Sequence, residues 1–514
     1  MAAPVRVMRL CAVCQKHDFY HRILAHNVMI SRHMAADLVS NNRITIDPDV
    51  KAVLDAGEVK HRAHPGIMQV KKVKLPPRLL ESVNLLIEKY PMSKLKEKAG
   101  QMARYLQSRQ LPMEGDELKY KTQQIHNKVT ANDNIDRSAM TEIEMDQLEK
   151  KWKDKTLTQL NKTVYHWKPI QYSASKGFLY LIGRLANDYS VMYRIFSEME
   201  KRVPQFKPHT LFDFGSGVGS TLWAANSVWE TSLQEHYCVD SSADMSTIAR
   251  LLLQDGEEEN EMCFPNVYFR QYFPPSIQNK YDLVVSAFTL LELPSQAERL
   301  KAVLALWKKT NQFLVLAENG TYAGYQAVLE ARDFLLQLGE EGFPGQGDDS
   351  LRGHVFAPCP HDKPCPRYVR QDGTPCNFMV PFQPLKIKGS KQTDDIARFA
   401  FVVLQKGDRL TADVSWPRIV RPTSTPSRRV HCRTCSTSGE LEVSVITSAK
   451  HGRDLYWCAR ASKWGDLLPT VAVTAEDTEK SREDVTESQD NSDSNTDATS
   501  DVNIGISGIA GTDR

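Results

Sequence analysis

A glycine-rich loop between an apolar run and an amphipathic segment limits the folds that this chain can adopt. Residues 211–225 read LFDFGSGVGSTLWAA, in which Asp213 precedes Gly215, Gly217 and Gly219. Glycine reaches backbone angles that other residues avoid, and it lets a ligand approach the main chain closely. Free N–H groups at the start of the following helix can receive polar groups of that ligand. The motif therefore predicts a strand, a ligand-binding turn and a helix.

From this loop onwards, short β-prone runs alternate with helical segments. The predicted strands are 210–214, 236–239, 267–270, 281–287, 313–317 and 399–405, and the predicted helices between them are 221–229, 243–253 and 297–309. Such alternation is typical of βαβ units and a largely parallel sheet. We therefore expect residues 201–408 to form a Rossmann-like α/β fold of the class I S-adenosylmethionine (SAM) methyltransferase type.

The ligand that this pattern predicts is SAM. Asp240 ends the second predicted strand, 27 residues beyond Asp213, where Rossmann-like sites bind ribose hydroxyls. Dinucleotide-binding loops usually run GxGxxG with no acid just before the first glycine, whereas Asp213 lies two residues before Gly215. The predicted SAM-binding residues lie in the loop and at the carboxyl edge of the sheet: Asp213, Gly215, Ser216, Gly217, Gly219, Asp240 and Ser286.

The sequence after the fourth predicted strand lacks the residues that methyl transfer commonly uses. Enzymes of this fold that methylate amines often carry [DN]PP[YFW] there, but this chain reads SAFTLLELP. Cytosine C5 chemistry needs a cysteine nucleophile, and no cysteine lies near this strand end. Glu292 is a candidate base, although an acid after a strand is more often a solvated or capping group. We predict a retained SAM pocket and no catalytic residues.

Six of the ten cysteines lie in the last third of the chain. Cys359, Cys365 and Cys376 fall in the proline-rich stretch GHVFAPCPHDKPCPRYVRQDGTPC, within residues 353–386, which we expect to form an insertion. A fourth ligand would come from Cys432 or Cys435 in VHCRTC. Four thiolates suit tetrahedral zinc or an iron–sulfur cluster, and their spacing does not decide between the two. Buried free thiols without a metal are the third interpretation.

The remaining regions differ in charge and pattern. Residues 1–45 carry several arginines and few acids, which is typical of a mitochondrial presequence. We expect a helical, basic region over 46–200, with a packed helix pair at 172–201, and a small β-rich module over 409–470, with strands at 441–447 and 455–459. The segment 471–514 is acidic and predicted to be disordered, because it has too little apolar surface to bury. The total charge of +2 therefore conceals a basic body, which permits a polyanionic partner.

Several segments together resemble a known family, the mitochondrial small-ribosomal-subunit methyltransferase-like proteins. They are LFDFGSGVGSTLWAA, YDLVVSAFTLLELPS, AENGTYAGYQAVLEARDFLL, GHVFAPCPHDKPCP, SWPRIV and DLYWCARASKWGDLLP, and the resemblance spans roughly residues 50–469. It implies a [4Fe–4S] cluster with Cys359, Cys365, Cys376 and Cys435 as ligands. Cys435 is preferred because the family's cysteine lies a few residues before a glycine, here Gly439.

The resemblance also implies a function in the mitochondrial matrix. It predicts an assembly factor that binds the immature small mitochondrial ribosomal subunit and its rRNA, is needed for mitochondrial translation, and holds SAM without transferring its methyl group. Its basic residues Lys60, Arg62, Lys71, Lys72 and Lys74 are candidates for phosphate contacts. We expect no membrane partner and a monomer away from the ribosome. Two alternatives remain: an active SAM-dependent methyltransferase of small-subunit rRNA, and an iron–sulfur sensor that gates mitochondrial translation.

Overall fold

The computed structural model describes residues 38–39, 44–91, 93–133, 140–165, 167–274, 278–341, 351–370, 373–386, 394–410 and 415–472. Most of the predicted presequence and nearly all of the predicted acidic tail lie outside these residues. None of the described helices is long and apolar enough to cross a membrane.

A mixed β-sheet forms the centre of the protein. In chain order its strands are β3 (Thr210–Phe214), β4 (Glu235–Val239), β5 (Val267–Arg270), β6 (Tyr281–Ala287), β7 (Thr310–Asn319), β8 (Gly353–Ala357), β9 (Phe378–Phe382) and β10 (Asp395–Lys406). The spatial order is β5-β4-β3-β6-β7-β10-β8, and β9 pairs with one end of β10. The first five strands run parallel, whereas β10 is antiparallel to its neighbours. The six strands predicted for this sheet and the Rossmann-like α/β architecture are confirmed, whereas β8 and β9 were not predicted.

Helices cover both faces of this sheet. They are α6 (Ala174–Arg202), α7 (Ser220–Val228), α8 (Ala243–Leu253), α9 (Gln296–Lys309) and α10 (Tyr322–Glu341). Side chains alternate between the faces along each strand. In β6, for example, Leu283 and Val285 join the core with α6, α7 and α8, whereas Val284 joins the core with α9 and α10. The sheet is thus buried on both sides, as parallel sheets are.

The helix α6 is one continuous helix of 29 residues, so the prediction of a helix pair at 172–201 was wrong. Asp188 lies near its middle and is completely buried, where an isolated carboxylate would be costly. Arg184, one turn earlier, pairs with it at 2.6 Å between Nη2 and Oδ1, and Tyr180 donates a hydrogen bond to it at 2.7 Å. These partners let the helix continue through an acid that would otherwise face apolar side chains.

The region before α6 is helical, as predicted. It contains α1 (Pro48–Asp55), α2 (Pro77–Lys89), α3 (Leu95–Gln107), α4 (Gly115–Ala131) and α5 (Glu142–Thr163). Helices α2 and α3 pack on the central core through Val83, Leu86 and Ala99. Helices α4 and α5 pack on each other around a separate small cluster that includes Ile125 and Trp152.

A smaller module follows the sheet, and the beginning of the described chain is part of it. Its strands are β1 (Leu38–Val39), β2 (Ile44–Ile46), β11 (Arg418–Ile419), β12 (Val430–Cys435), β13 (Leu441–Ile446) and β14 (Thr470–Ala472). They form one sheet of order β1-β13-β12-β11 and a β14–β2 pair. Strand β1 thus lies within the predicted presequence, and β14 extends beyond the predicted module boundary at residue 470.

Two other features of this half of the chain differ from expectation. Residues 455–459 were predicted as a strand, but they belong to the helix α13 (Arg453–Ala461), which follows the short α12 (Ser448–His451). The segment 353–386 does not stand apart from the sheet, because it supplies β8 and β9 and contains α11 (Pro366–Arg370) between them.

Buried ion pairs join the module to α6. Arg418 of β11 donates to the carboxylate of Glu198, and so does Arg194 at 3.0 Å. These cations hold the pKa of Glu198 at about 2 even though burial alone would raise it. Removing one member of such a network leaves an uncompensated buried charge.

Candidate functional site

The glycine loop between β3 and α7 adopts the backbone conformation that its sequence predicts. Gly215, Gly217 and Gly219 all have positive φ angles, of 75°, 52° and 84°. The amides of Gly215 and Ser216 donate to the carbonyl of Val239 in β4, at 2.8 and 3.1 Å. A Cβ at Gly215 would lie 2.0 Å from Thr289 Oγ1, whereas one at Gly217 would meet nothing closer than 3.5 Å. Thr289 therefore leaves no space for a side chain at Gly215, whereas the space beside Gly217 is free for a ligand.

Asp240 holds the loop from the adjacent strand end. Its Oδ2 accepts a hydrogen bond from the amide of Gly217 at 2.9 Å, and its Oδ1 accepts one from the amide of Ser242 at 2.9 Å. Burial raises the pKa of this carboxyl. Each carboxylate oxygen can accept a further hydrogen bond, so Asp240 retains acceptors for ligand hydroxyls.

Asp213 is completely buried, and neither of its carboxyl oxygens has a hydrogen-bond partner among the described residues. Burial, together with the nearby carboxylate of Asp240, raises the pKa of Asp213 to about 8, and the neighbouring hydroxyl of Thr221 opposes this rise only in part. Buried polar atoms without partners are rare in folded proteins and call for an explanation. Here the explanation that fits is a missing polar ligand or a protonated acid.

Two predicted serines share this property. The hydroxyls of Ser216 and Ser286 are buried and also have no partner among the described residues. Ser286 follows Val285, which pairs with Asp213 across β3 and β6. The structure thus brings the predicted SAM-binding residues to one edge of the sheet, with several unsatisfied polar atoms. This arrangement fits a ligand that carries both hydroxyl and charged groups.

Residues that the sequence did not single out lie next to this site. Ser242 Oγ donates to the carbonyl of Tyr172 at 2.7 Å, which brings the segment before α6 to the strand end. Burial, and after it the charge of Glu292, raises the pKa of Tyr172. Arg109 lies 3.0 Å from Glu292, measured from Nε to Oε1. No local motif marks Tyr172 or Arg109, because both come from distant segments of the chain.

The residues after β6 leave little polar chemistry at the site. Leu290 and Leu291 are buried where amine-methylating enzymes of this fold often carry a polar tetrad. Glu292 is the one candidate base that sequence predicted here, and burial raises its pKa to about 7. The carboxylate of Glu292 forms an ion pair with Arg109, which favours a structural role for Glu292.

The second site is a small cavity lined by four cysteines from two distant segments of the chain. Cys359 and Cys365 lie between β8 and α11, Cys376 lies just before β9, and Cys435 ends β12; all four line the cavity with Phe378, Arg418 and other residues. Burial raises the pKa of the Cys359 thiol to about 11, and it also raises those of Cys376 and Cys435. The predicted ligand residues are therefore together; Cys365 and Cys435 are buried, and Cys359 and Cys376 are half-buried.

Cys432, the rejected fourth candidate, lies elsewhere. It is separated from Cys435 by three positions of the same strand, so the two side chains face opposite sides of the sheet. Cys432 packs in the core of the small module with Val430 and Leu455. Within the described part of the chain, no three His, Cys, Asp or Glu side chains are arranged to hold a single metal ion. The geometry of a multi-iron cluster is different, because its four ligands bind separate corners of a larger group.

Polar groups surround the cysteine cavity. Tyr325 Oη lies 3.3 Å from Cys365 Sγ, and His361 Nε2 lies 3.2 Å from Cys435 Sγ. Arg332 is buried nearby and donates to the carbonyls of His361 and Lys363, at 3.1 and 2.8 Å. Hydrogen bonds and positive charges of this kind stabilise thiolates and tune the metals that they bind. Nothing in the sequence indicated Tyr325, which reaches the cavity from α10.

Comparisons with known proteins agree with the resemblance. "Ribosome assembly protein METTL17, mitochondrial" of Homo sapiens is 40% identical over 415 residues, which cover 81% of this chain and 87% of that protein. "Ribosome assembly protein RSM22, mitochondrial" of Saccharomyces cerevisiae is 21% identical over 56% of this chain and 66% of its own length. A solved structure of magnesium protoporphyrin IX methyltransferase from Synechocystis with bound SAM is 13% identical, and the match covers 53% of this chain and all of that one. Its TM-score of 0.27 is too low to support any argument about the fold beyond the strand order described above.

A family model supplies the remaining finding. The model described as "Mitochondrial small ribosomal subunit Rsm22" matches residues 174–469, which include the whole central sheet, the glycine loop and all four cysteines of the cavity. The match covers more than half of the chain, and the human relative is similar over most of its length. The chain therefore belongs to the Rsm22 family of mitochondrial small-ribosomal-subunit proteins.

Proposed function

We propose that this protein is an assembly factor of the small mitochondrial ribosomal subunit, acting in the mitochondrial matrix on the immature subunit and its rRNA. The human and yeast relatives are both named mitochondrial ribosome assembly proteins. The human relative is similar along 87% of its length, so the similarity is not limited to the widespread α/β core.

The protein would hold SAM at the glycine loop without transferring its methyl group. Three glycines with positive φ and the carboxylate of Asp240 supply a backbone cradle and hydroxyl acceptors. The unpartnered carboxyl of Asp213 and the hydroxyls of Ser216 and Ser286 would find partners in such a ligand. The buried leucines after β6 offer no group to activate a nucleophile. Bound SAM would therefore order the strand ends rather than react.

The four cysteines would hold a [4Fe–4S] cluster. Its role here would be structural, because it would cross-link distant parts of the chain. Cys359, Cys365 and Cys376 come from the segment around β8 and β9, and Cys435 comes from the small module. A cluster bound by all four would fix the module against the central sheet, because metal binding contributes directly to folding free energy. The convergence of these four residues on one cavity is the single observation that carries the proposal.

Substitution of single cysteines tests the cluster. The chain is purified anaerobically, and iron, acid-labile sulfide and zinc are measured in the wild type and in Cys365→Ser, Cys435→Ser and Cys432→Ser. We expect about four irons and four sulfides per chain in the wild type, and loss of both in the first two variants. Cys432→Ser is the matched control, because it changes a buried cysteine of the same strand that does not line the cavity. Zinc without sulfide, or equal iron loss in all three variants, would overturn the cluster.

Association with ribosomes tests the assembly role. We expect the wild type and Cys432→Ser to co-sediment with small mitochondrial subunits, and Cys365→Ser to be lost from them. The sensor alternative also needs the cluster for this association, so a Cys365→Ser variant that remains bound would defeat it. A wild-type chain that fails to co-sediment would defeat the assembly role itself.

Methyl mapping separates the assembly role from the enzyme alternative. A Gly215→Ala/Gly217→Ala variant should lose SAM binding, and methylated nucleotides of small-subunit rRNA are then compared with those of the wild type. Without methyl transfer, the pattern of methylation on assembled subunits is unchanged. If assembly survives while one specific methyl mark disappears, the protein is an active methyltransferase.

A further inference from the structure

A cleft of about 730 Å³, separate from both sites, lies between the segment 70–77 and the helices α6 and α7. We call it the lysine cleft, because Lys71, Lys72 and Lys74 line one side of it. Its other side is aromatic and includes Tyr189, Tyr193, Trp223 and Phe264. It is distinct from the SAM site, which lies at the start of α7, and from the cysteine cavity.

The segment that carries the lysines forms strand-like backbone hydrogen bonds with the residues of β9 and the residue after it. The amide of Val73 donates to the carbonyl of Pro381 at 2.9 Å, and the amide of Gln383 donates to the carbonyl of Val73 at 2.9 Å. Val73 and Leu75 are buried in the core, so Lys72 and Lys74 project to the exposed side between them. The lysines are therefore presented on a fixed backbone rather than on a free loop.

The aromatic side of the cleft is also held in place. Tyr193 is half-buried and stacks on Tyr189, with 6.0 Å between ring centroids and 19° between ring planes. Tyr189 Oη donates to Ser227 Oγ at 3.0 Å. Trp223 packs edge-on against Phe264 with 4.9 Å between centroids. Its indole nitrogen is buried and has no hydrogen-bond acceptor within the described part of the chain.

The charge of the cleft is positive. Lys72 forms an ion pair with Asp394 at 3.0 Å, but Lys71 and Lys74 form none with any described residue. Glu230 is the single acid among the residues that line the cleft. Fixed cations beside flat rings are the features that bind single-stranded nucleic acids, since phosphates follow the cations while bases stack on the rings.

We propose that the lysine cleft binds a single-stranded segment of RNA. Lys71 and Lys74 contact phosphates of the strand, and one base stacks on the half-buried ring of Tyr193. The rings lie inside the cleft, and a base within a duplex would not reach them without leaving its stack. This inference rests on the proposed role in ribosome assembly and names the surface and the form of RNA that it would use.

Salt-dependent binding to a short RNA tests this assignment. The full-length, anaerobically purified chain is titrated with a fluorescein-labelled, unstructured decauridylate, and affinity is measured at several salt concentrations. Each phosphate contact to a single strand contributes about 0.7 to the slope of log affinity against log salt. We expect Lys71→Ala/Lys74→Ala to reduce that slope by about 1.4.

Two further variants separate stacking from charge. Loss of base stacking in Tyr193→Ala should weaken affinity about 5- to 150-fold and leave the salt slope unchanged. Lys150→Ala/Lys151→Ala, which removes the same charge from the exposed face of α5, should change neither. Because the lysines of the cleft are exposed, their replacement does not depend on refolding of the core. An unchanged slope in Lys71→Ala/Lys74→Ala, or equal affinity for a ten-base-pair RNA duplex, overturns the proposal.

Co-sedimentation of the same variants with small mitochondrial subunits keeps this proposal apart from the assembly role. If the cleft variants lose both decauridylate binding and co-sedimentation, the result supports the RNA-binding cleft and the assembly role together. A wild-type chain that co-sediments but binds decauridylate no better than the cleft variants do refutes the lysine cleft alone. Failure of the wild type to co-sediment refutes the assembly role, whatever the RNA titration shows.

Discussion

Replacing Asp213 by asparagine should change how the stability of this protein depends on pH. Asp213 is completely buried at the end of β3, without a hydrogen-bond partner among the described residues. Burial and the carboxylate of Asp240 raise its pKa to about 8, from an ordinary value of 3.8. In the SAM-free protein, Asp213 is therefore protonated at neutral pH, whereas in the unfolded chain it is ionised.

The sign and size follow from proton linkage. Between pH 4 and 8 the folded state holds a proton that the unfolded state has lost, so the free energy of unfolding falls as pH rises. The slope is about 1.4 kcal/mol per pH unit for one group, which gives a fall of about 2.7 kcal/mol between pH 5 and pH 7. Asparagine has nearly the same shape and no such titration. Relative to the wild type, Asp213→Asn should therefore gain about 2.7 kcal/mol over this interval.

Urea unfolding of the SAM-free proteins, followed by tryptophan fluorescence at pH 5, 6 and 7, measures this difference. Asp282→Asn is the control: this acid at the opposite sheet edge accepts from the amide of His209 at 2.9 Å, and hydrogen bonds lower its pKa. Its stabilising effect is fully present above its ordinary pKa, so its loss should cost the same at pH 5 and pH 7. If the difference between Asp213→Asn and the wild type is equally constant, Asp213 is ionised in the fold and the reasoning is refuted.

Three other substitutions test particular contacts. Gly215→Ala should lower the free energy of unfolding by about 2 kcal/mol or more and reduce SAM affinity in calorimetry, because its Cβ would lie 2.0 Å from Thr289 Oγ1 in addition to the cost of positive φ. Tyr325→Phe should lower the midpoint potential of the proposed cluster in an anaerobic redox titration, since it removes a hydrogen bond to Cys365 that favours the more negative, reduced state. Glu198→Gln should cost about 3–5 kcal/mol in thermal or urea unfolding at pH 7 and less as pH falls towards 2, where the wild-type carboxylate is itself protonated.

Each of these substitutions has a matched control. In Gly217→Ala the alanine has the cost of a positive φ angle but no close contact. Equal losses of unfolding free energy in Gly215→Ala and Gly217→Ala would therefore show that the contact with Thr289 contributes nothing. Tyr322→Phe changes an exposed tyrosine on the same helix and should leave the potential unchanged. Glu200 lies on the same helix, where its partly exposed carboxylate pairs with Lys207 and accepts a hydrogen bond from Trp229 Nε1 that a glutamine can keep. A cost in Glu200→Gln as large as that of Glu198→Gln would contradict the importance of burial.

Local sequence patterns were enough to predict six strands of the central sheet, but not β8 and β9. The strand limits of β3, β5 and β6 and the extent of α8 coincide with those predicted, because each depends on a short apolar pattern and on the residues immediately beside it. The glycine loop was also readable, since a turn with three positive φ angles selects glycine at those positions. Local patterns were insufficient for residues 455–459, where a short apolar run suits a strand or a buried helix equally well.

Which distant residues meet depends on how the whole chain packs. Cys432 and Cys435 are equivalent by spacing, and it is the pairing of β12 within its sheet that turns one into the module core and the other towards Cys359. The same holds for Tyr325 and for Tyr172, which reach the two sites from segments with no motif of their own. A sequence records the preferences of neighbouring residues along the chain, whereas these contacts depend on how whole strands and helices pack, and that is fixed only when the complete core forms.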